Sequence, residues 1–567
     1  MEQTNESNNA QHPHGNQNTQ PPYGYQYAQQ PYGNQYAQQP YANQYATHPN
    51  EHMMNMQRAM LKKENKFKPN MIDFIFAVIT FVIGYMFSRW VLFAWLGWGV
   101  SAFATAYLLT VTAYLIKKDS FHNSAETWFW LTVTWLVGLS YALWENAGIA
   151  AIRGLFLFCS AVYYIMVASG SLLTKKSGNF LLADGVNAFF VVPFANFINQ
   201  YVSFKALNRS ENKNSGKKLP IFLGIVIALI MFLILIPLLL SADSGGFAII
   251  VNAIERFFSL LIFEINFWSF MFYLFFALPI AAYIYGLISG SAHKKYTDSF
   301  KVESLKETGE KMHRVQSVTI FIALGAICIL YLVFILSQIP YFFSAFIGVR
   351  PEGWLIYSEY ARQGFFELCA IAAINLVVIT VANLFAKNKR ESNRLLKMFN
   401  IAISIITLVL IATAFSKMTL YISAYGLTMP RLLPCIFMVF LAAVFIALIV
   451  LQNKKFSIVR FSLILGSIII CLMCLSNPDA IVVRYNTNRY LSGTLQHYDL
   501  EILRRAGSAG VLPAYEVYNA TTDQELKDDL QALFRWYQPR VYPRNTNQIF
   551  FEQHRARLHI LNLSDTN

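Results

Sequence analysis

Read for hydropathy, most of this chain alternates between long apolar runs and short polar interruptions. The runs fall at roughly 71–88, 91–116, 127–144, 149–173, 219–240, 266–289, 316–337, 364–386, 397–418, 431–451 and 457–476. Each is near the ~20 residues that an α-helix needs to cross the hydrocarbon of a bilayer. The pattern predicts an all-α fold, a polytopic transmembrane helix bundle of about eleven spans over residues 71–476. Polar segments flank it on both sides.

Three stretches fit neither a full span nor a plain loop. Residues 180–204 set Phe189, Phe190, Val191, Val192 and Pro193 among Asn187, Asn196 and Asn199, a pattern for an interfacial or re-entrant helix on the inner side. Residues 246–264 place Glu255, Arg256 and Glu264 among Phe and Ile, which predicts an amphipathic helix on the outer surface. Residues 338–363 form an outer loop.

Residues 1–57 are low in complexity, with a nine-residue unit that recurs from Pro22, Pro31 and Pro40. With almost no aliphatic side chains this tail has too little apolar surface to offset its ordering entropy, so it is expected to be disordered. Residues 58–70 follow as a juxtamembrane basic segment. Its Arg58, Lys62, Lys63, Lys66 and Lys68 are candidates for binding anionic lipid. Residues 477–567 become polar and charge-balanced again. Leu500 with Leu503, and Leu526, Leu530, Leu533 with Phe534, have helical spacing, whereas Ser508 to Pro513 reads as a break. The expectation is a small helical extracytoplasmic domain resting on the membrane part.

Charge fixes the expected sidedness. The tail and every second loop hold 28 of the 45 basic residues but only 14 of the 31 acidic ones, so that side carries the whole net charge of +14. The positive-inside rule then puts the N-terminus in the cytoplasm and, with an odd number of crossings, the C-terminus outside a cell membrane. The first apolar run begins near Met71, too late for a cleavable signal, so it is expected to direct its own insertion.

Composition narrows the function classes. With 55% hydrophobic and only 13% charged residues, the chain has lipid as its main solvent. A pI near 9.3 would otherwise point to nucleic acid. Here the basic residues flank membrane spans, and the anionic inner leaflet is the partner they predict. Membrane lipids and envelope proteins are the expected partners, and nucleic acid is not. All six cysteines fall inside apolar runs, and the CxxC of Cys471 and Cys474 lacks the further ligands that zinc or redox chemistry needs. No HExxH, GxSxG or P-loop occurs, so no catalytic residue, metal site or cofactor is assigned.

Charges near span ends are costly and need partners. The densest group surrounds the eighth span, where Glu359, Arg362 and Glu367 follow one another at helical intervals. Lys417, Tyr421, Tyr425 and Arg431 should lie at the same depth, at the end of the ninth span and in the loop after it. Two readings stand side by side: an ion-pair clamp between helices, or a site for an anionic headgroup or a proton-coupled carboxylate at Glu367.

These residues carry a family resemblance. The runs Tyr360 to Leu368, Tyr421 with Tyr425 to Thr428 and Arg431, and Asn477 to Ala480 with Arg484 to Asn486 resemble domain of unknown function 4173. That is an uncharacterised family of bacterial multi-pass membrane proteins, and the resemblance covers roughly residues 180–500. It implies a cytoplasmic-membrane protein and no activity. Because all three runs fall at the outer face, they predict one assembled site or interface of Glu359, Arg362, Glu367, Lys417, Tyr421, Tyr425, Arg431, Asp479 and Arg484. The leading function is then a non-enzymatic envelope scaffold or sensor. The alternatives are a transporter or lipid flippase, and an outer-face lipid-modifying enzyme.

Overall fold

The computed structural model describes residues 67–206, 267–347, 365–387, 393–541 and 551–564, with the helical positions Met231, Leu235 and Leu239. The repeat tail, Arg58, Lys62, Lys63 and Lys66, the stretch 246–264, and Glu359 with Arg362 lie outside the described residues. So does most of the fifth apolar run. Lys68 is described and exposed.

The first helix shows how local chemistry sets a boundary. Asn70 adopts an extended backbone and accepts the Asp73 N–H at 3.1 Å, while Asp73 accepts the Asn70 N–H at 2.8 Å. This capping box satisfies donors that the helix start would otherwise leave open. It opens α1, Met71–Met86, which a π turn extends to Leu92. The fully buried Asp73 also accepts Tyr114 Oη from α2, Trp98–Lys117, and Nζ of its C-cap residue Lys118, both at 2.7 Å. A buried carboxylate held this way becomes a liability when its cation is lost. Lys118→Met should therefore lower stability by about 2–3 kcal/mol, read as earlier thermal unfolding in detergent, and Asp73→Asn should lose less.

α3, Ala125–Leu143, and α4, Ala150–Ala168, complete a run of helices each packed on the one before. A broken helix follows, α5 over Leu181–Ala195 and α6 over Asn199–Ala206. It lies against α7, Phe267–Ala292, and not across the bundle. Its amides explain why: Asn187 donates to Thr297 O at 3.1 Å and Gln200 to Ala77 O at 3.1 Å. Both amides thus find backbone carbonyls on neighbouring elements, Thr297 in the turn after α7 and Ala77 within α1. Gly84 lets α1 meet α7, because a Cβ there would sit 2.8 Å from Ala277 O. Val111, Leu115, Tyr164, Ile165, Tyr285 and Ile288 fill this first core.

The exposed α8, Val302–Met312, leads to a second group with its own core. It comprises α9, Ser317–Ile347, α10, Phe365–Phe385, α11, Arg394–Tyr425, and α12, Met429–Leu451. Hydrogen-bonded amides tie its helices: Tyr331 Oη to Asn375 Oδ1 at 2.6 Å, and Asn400 Nδ2 to Asn383 and Gln452 at 3.1 and 3.3 Å. Amide bridges of this kind join helices where burial alone offers no preference between protein and lipid. α13, Ile458–Leu475, contacts both groups, against α3 and α12.

Among the described residues nine helices are long and apolar enough to cross a membrane. α3 is 19 residues long but its Thr, Ser and Trp content keeps it outside that set; it still packs between α2 and α4. The chain is thus a helical, multi-pass integral membrane protein. Contacts between turns define two faces. On one, Lys118 joins Asp73, Lys294 donates to Ser169 O, and Arg460 donates to Ser177 O at 2.8 Å. On the other, the turns after α3, α11 and α13 meet the C-terminal segment.

That segment is helical: α14, Pro478–Leu491, α15, Leu500–Arg505, α16, Val511–Ala520, α17, Gln524–Val541, and α18, Phe551–Ser564. Leu503, Val511, Val517, Leu530, Leu533 and Phe534 form its core. The stretch read as a break, from Ser508, is a 3₁₀ turn over Gly507–Gly510 that runs directly into α16.

Candidate functional site

On the face that bears the C-terminal helices, α3 ends in the turn Trp144-Glu145-Asn146. Asn146 is left-handed, a conformation asparagine tolerates better than most residues. Arg153, in the first turn of α4, folds back over that end. Its Nη1 donates to Trp144 O at 3.1 Å and its Nη2 to Glu145 O at 2.6 Å. The guanidinium lies 3.8 Å from the Tyr141 ring centre, and the side chain is fully buried. A planar fork suits this task because it reaches two carbonyls at once. The turn is bolted to α13 as well, by Trp144 Nε1 to Leu475 O at 2.9 Å and Asn146 Nδ2 to Cys474 O at 2.8 Å.

Three carboxylates then join this turn to the C-terminal helices. Asp479 accepts the Gly148 N–H at 3.0 Å. Glu145 Oε2 accepts the Ser508 N–H at 2.9 Å and Ser508 Oγ at 3.0 Å. Glu552 takes Asn477 Nδ2 at 2.5 Å on one oxygen, and its other oxygen is 3.2 Å from Ser508 Oγ. Asn477 does double duty, since its Oδ1 also caps α14 by accepting the Ala480 N–H.

Ser508 Oγ stands between two carboxylates and has one hydrogen to give. Glu145 Oε2 also receives the Ser508 N–H, so two bonds converge on it, while Glu552 accepts from Asn477 Nδ2 and from Ser508 Oγ. Burial, with Glu145 adding repulsion and Asn477 and Ser508 opposing, pushes Glu552 up to about 7. Burial and Glu145 likewise push Asp479 up to about 6 against the pull of the Gly148 N–H and Arg153. The site is a buried hydrogen-bonded joint between the bundle and the C-terminal helices, in which burial holds Glu552 and Asp479 above the usual carboxylate range.

The same C-terminal helices grip the second helix group. Asn486 Oδ1 accepts the Leu427 N–H and its Nδ2 donates to Leu427 O, both at 2.7 Å. Arg489 donates to Ser423 O at 2.7 Å and Ile422 O at 3.2 Å.

The residues singled out from sequence occupy four places. Glu367 opens α10 and interacts electrostatically with Lys417 of α11. Arg431 stacks 4.1 Å above Tyr421 and donates to Tyr425 O at 2.9 Å, with the Tyr421 and Tyr425 rings in edge contact. Asp479 belongs to the joint described above. Arg484 pairs with Glu516 at 2.8 Å on the exposed side of the domain. Asn486 and Arg489 link the Tyr425 turn to α14. The joint's other members, Glu145, Ser508 and Glu552, carry no local signal, because their partners lie tens to hundreds of residues away: Glu145 and Ser508 are 363 apart. Among the described residues no group of three or more His, Cys, Asp or Glu side chains is arranged to hold a metal.

The profile of a domain of unknown function, DUF4153, matches residues 131–516. The match covers more than half of the chain, which therefore belongs to that family. It takes in the Glu145 turn, Arg153, Asp479 and Ser508, and it replaces the family numbered 4173 that the motif runs resemble. No curated protein and no solved structure matches the chain.

Proposed function

We propose that this member of the DUF4153 family is a non-catalytic scaffold and sensor of the bacterial cell membrane. Its N-terminus and basic face lie in the cytoplasm and its C-terminal helices outside. The distribution of Lys and Arg supports that orientation, and Lys68 with its neighbours before α1 would then meet anionic headgroups of the inner leaflet. The observation that carries the sensor reading is the joint: Asp479 and Glu145 bond the C-terminal helices to the α3 turn, Asn486 and Arg489 bond them to the second helix group, and burial raises Asp479 and Glu552 above the usual carboxylate range. Envelope proteins that contact the domain are the partners it would report to.

The sign follows from linkage. Glu552 and Asp479 are more basic in the docked state than their ordinary values of 4.5 and 3.8. Docking therefore binds protons, is strongest below about pH 4, and weakens as pH rises to about 7. Each group costs about 1.4 kcal/mol per pH unit while only the docked state holds its proton. Hydrogen exchange of α15 and α16 in nanodiscs should accelerate between pH 5 and 8 beyond the intrinsic chemical dependence. Glu552→Gln, which mimics the protonated acid, should flatten much of that slope. A slope unchanged in that variant would remove the sensor reading.

A further inference from the structure

A second feature lies away from the joint, within the first helix group. A cavity of about 830 Å³ runs between α1, α2, α4, the α5 end and α7. Its walls are hydrocarbon and aromatic carbon. The polar atoms nearest to it are spent elsewhere: Tyr107 Oη donates to Ala161 O at 3.2 Å, Tyr283 Oη to Phe189 O at 3.1 Å, and the Tyr141 ring is covered by Arg153. Nothing in the lining recognises a headgroup, a sugar or an ion.

Shape and position narrow the ligand further. Along α4 the lining runs from Ala151 to Val162, about 16 Å at the helical rise. That is about half the ~30 Å hydrocarbon core, the depth of one leaflet. Ala151 lies at the start of α4, beside the domain-bearing face. The slot opens sideways where Leu155, Phe158 and Phe194 stand 65%, 45% and 59% exposed. These side chains lie within apolar helices, so the opening meets bilayer hydrocarbon and not water.

We propose that this slot holds one acyl chain of a membrane phospholipid, taken from the leaflet on the domain-bearing side, with its headgroup left at the interface. Unfilled, the wall atoms would forfeit dispersion contacts that neither water nor neighbouring side chains replace. A flexible hydrocarbon chain restores them and brings no polar group to desolvate. The inference is independent of the sensor reading, since it needs no titrating residue and no domain movement.

The test uses the full chain in phosphatidylcholine nanodiscs doped with a phospholipid that carries a diazirine midway along one acyl chain. After illumination, labelled peptides should concentrate on the α4 and α5 segments around Phe158 and Phe194. Exposed apolar helix surface elsewhere, around Ile329 and Val333 of α9, serves as the background. Ala161→Trp fills the slot from its wall and should cut the slot label by about tenfold while leaving the α9 label unchanged. If that variant does not fold, Ala151→Phe narrows the outer end from an exposed position and should lower the same label. Equal labelling of α4 and α9 would overturn the proposal, for the lipid would then be annular only. So would undiminished slot label in a folded Ala161→Trp protein. Ready disulfide formation between Leu155→Cys and a cysteine placed within residues 219–240, with loss of lipid label, would also overturn it, because the chain itself would then be the occupant.

Discussion

Arg153→Met should unfold the first helix group about 3–5 kcal/mol more easily than the native chain. The loss has separable parts. Two carbonyls at the end of α3, Trp144 O and Glu145 O, lose their charged donors in a place where water does not reach. The stacking of the guanidinium on Tyr141 goes as well. Methionine fills much of the volume, so a cavity is not what the variant measures. Arg153→Lys tests geometry against charge: it keeps the cation but lacks the fork that spans two carbonyls, and should recover only part of the loss. Arg484→Met is the contrast. Arg484 pairs with a carboxylate, but it is half exposed, and its loss should stay within ~1 kcal/mol. Thermal unfolding of the purified protein reads all three. An Arg153→Met protein as stable as the native one would show that the α3 end is satisfied by other donors.

Arg153 also marks where sequence reasoning stops. An arginine at the start of an apolar run is conspicuous, because a charge within a span needs a partner. Its partners are backbone carbonyls, which no sequence pattern distinguishes from one another. The spans themselves were legible because lipid imposes a length and a composition on any helix that crosses it. The joint was not. Glu145, Ser508 and Glu552 look like ordinary surface residues in their own neighbourhoods, and only the folded chain brings them together. The motif runs behaved in an intermediate way: Asp479 and Asn486 do hold bundle to domain, but each pairs with backbone and not with the charges first set beside it.

Gly507→Ala should release the domain more effectively than removing any one carboxylate. Gly507 has φ +59°, a left-handed conformation that costs a Cβ-bearing residue about 1–2 kcal/mol. A Cβ there would also press into the Glu145 carboxylate, the acceptor for both the Ser508 N–H and hydroxyl. Relief requires Glu145 to withdraw, which strips the Ser508 N–H of its acceptor and leaves Ser508 Oγ with Glu552 alone. The combined penalty is about 3 kcal/mol or more. Gly493→Ala supplies a matched control. It is left-handed too, at φ +70°, but has nothing within 4 Å of its Cβ, so it should cost the conformational term alone. Hydrogen exchange should then rise across α15 and α16 in Gly507→Ala, with little change in α1 or α11, whose cores do not touch the joint. Equal protection in the two glycine variants would mean that the carboxylate contact holds nothing, and that the domain stays docked through Asn486 and Arg489 on the second helix group instead.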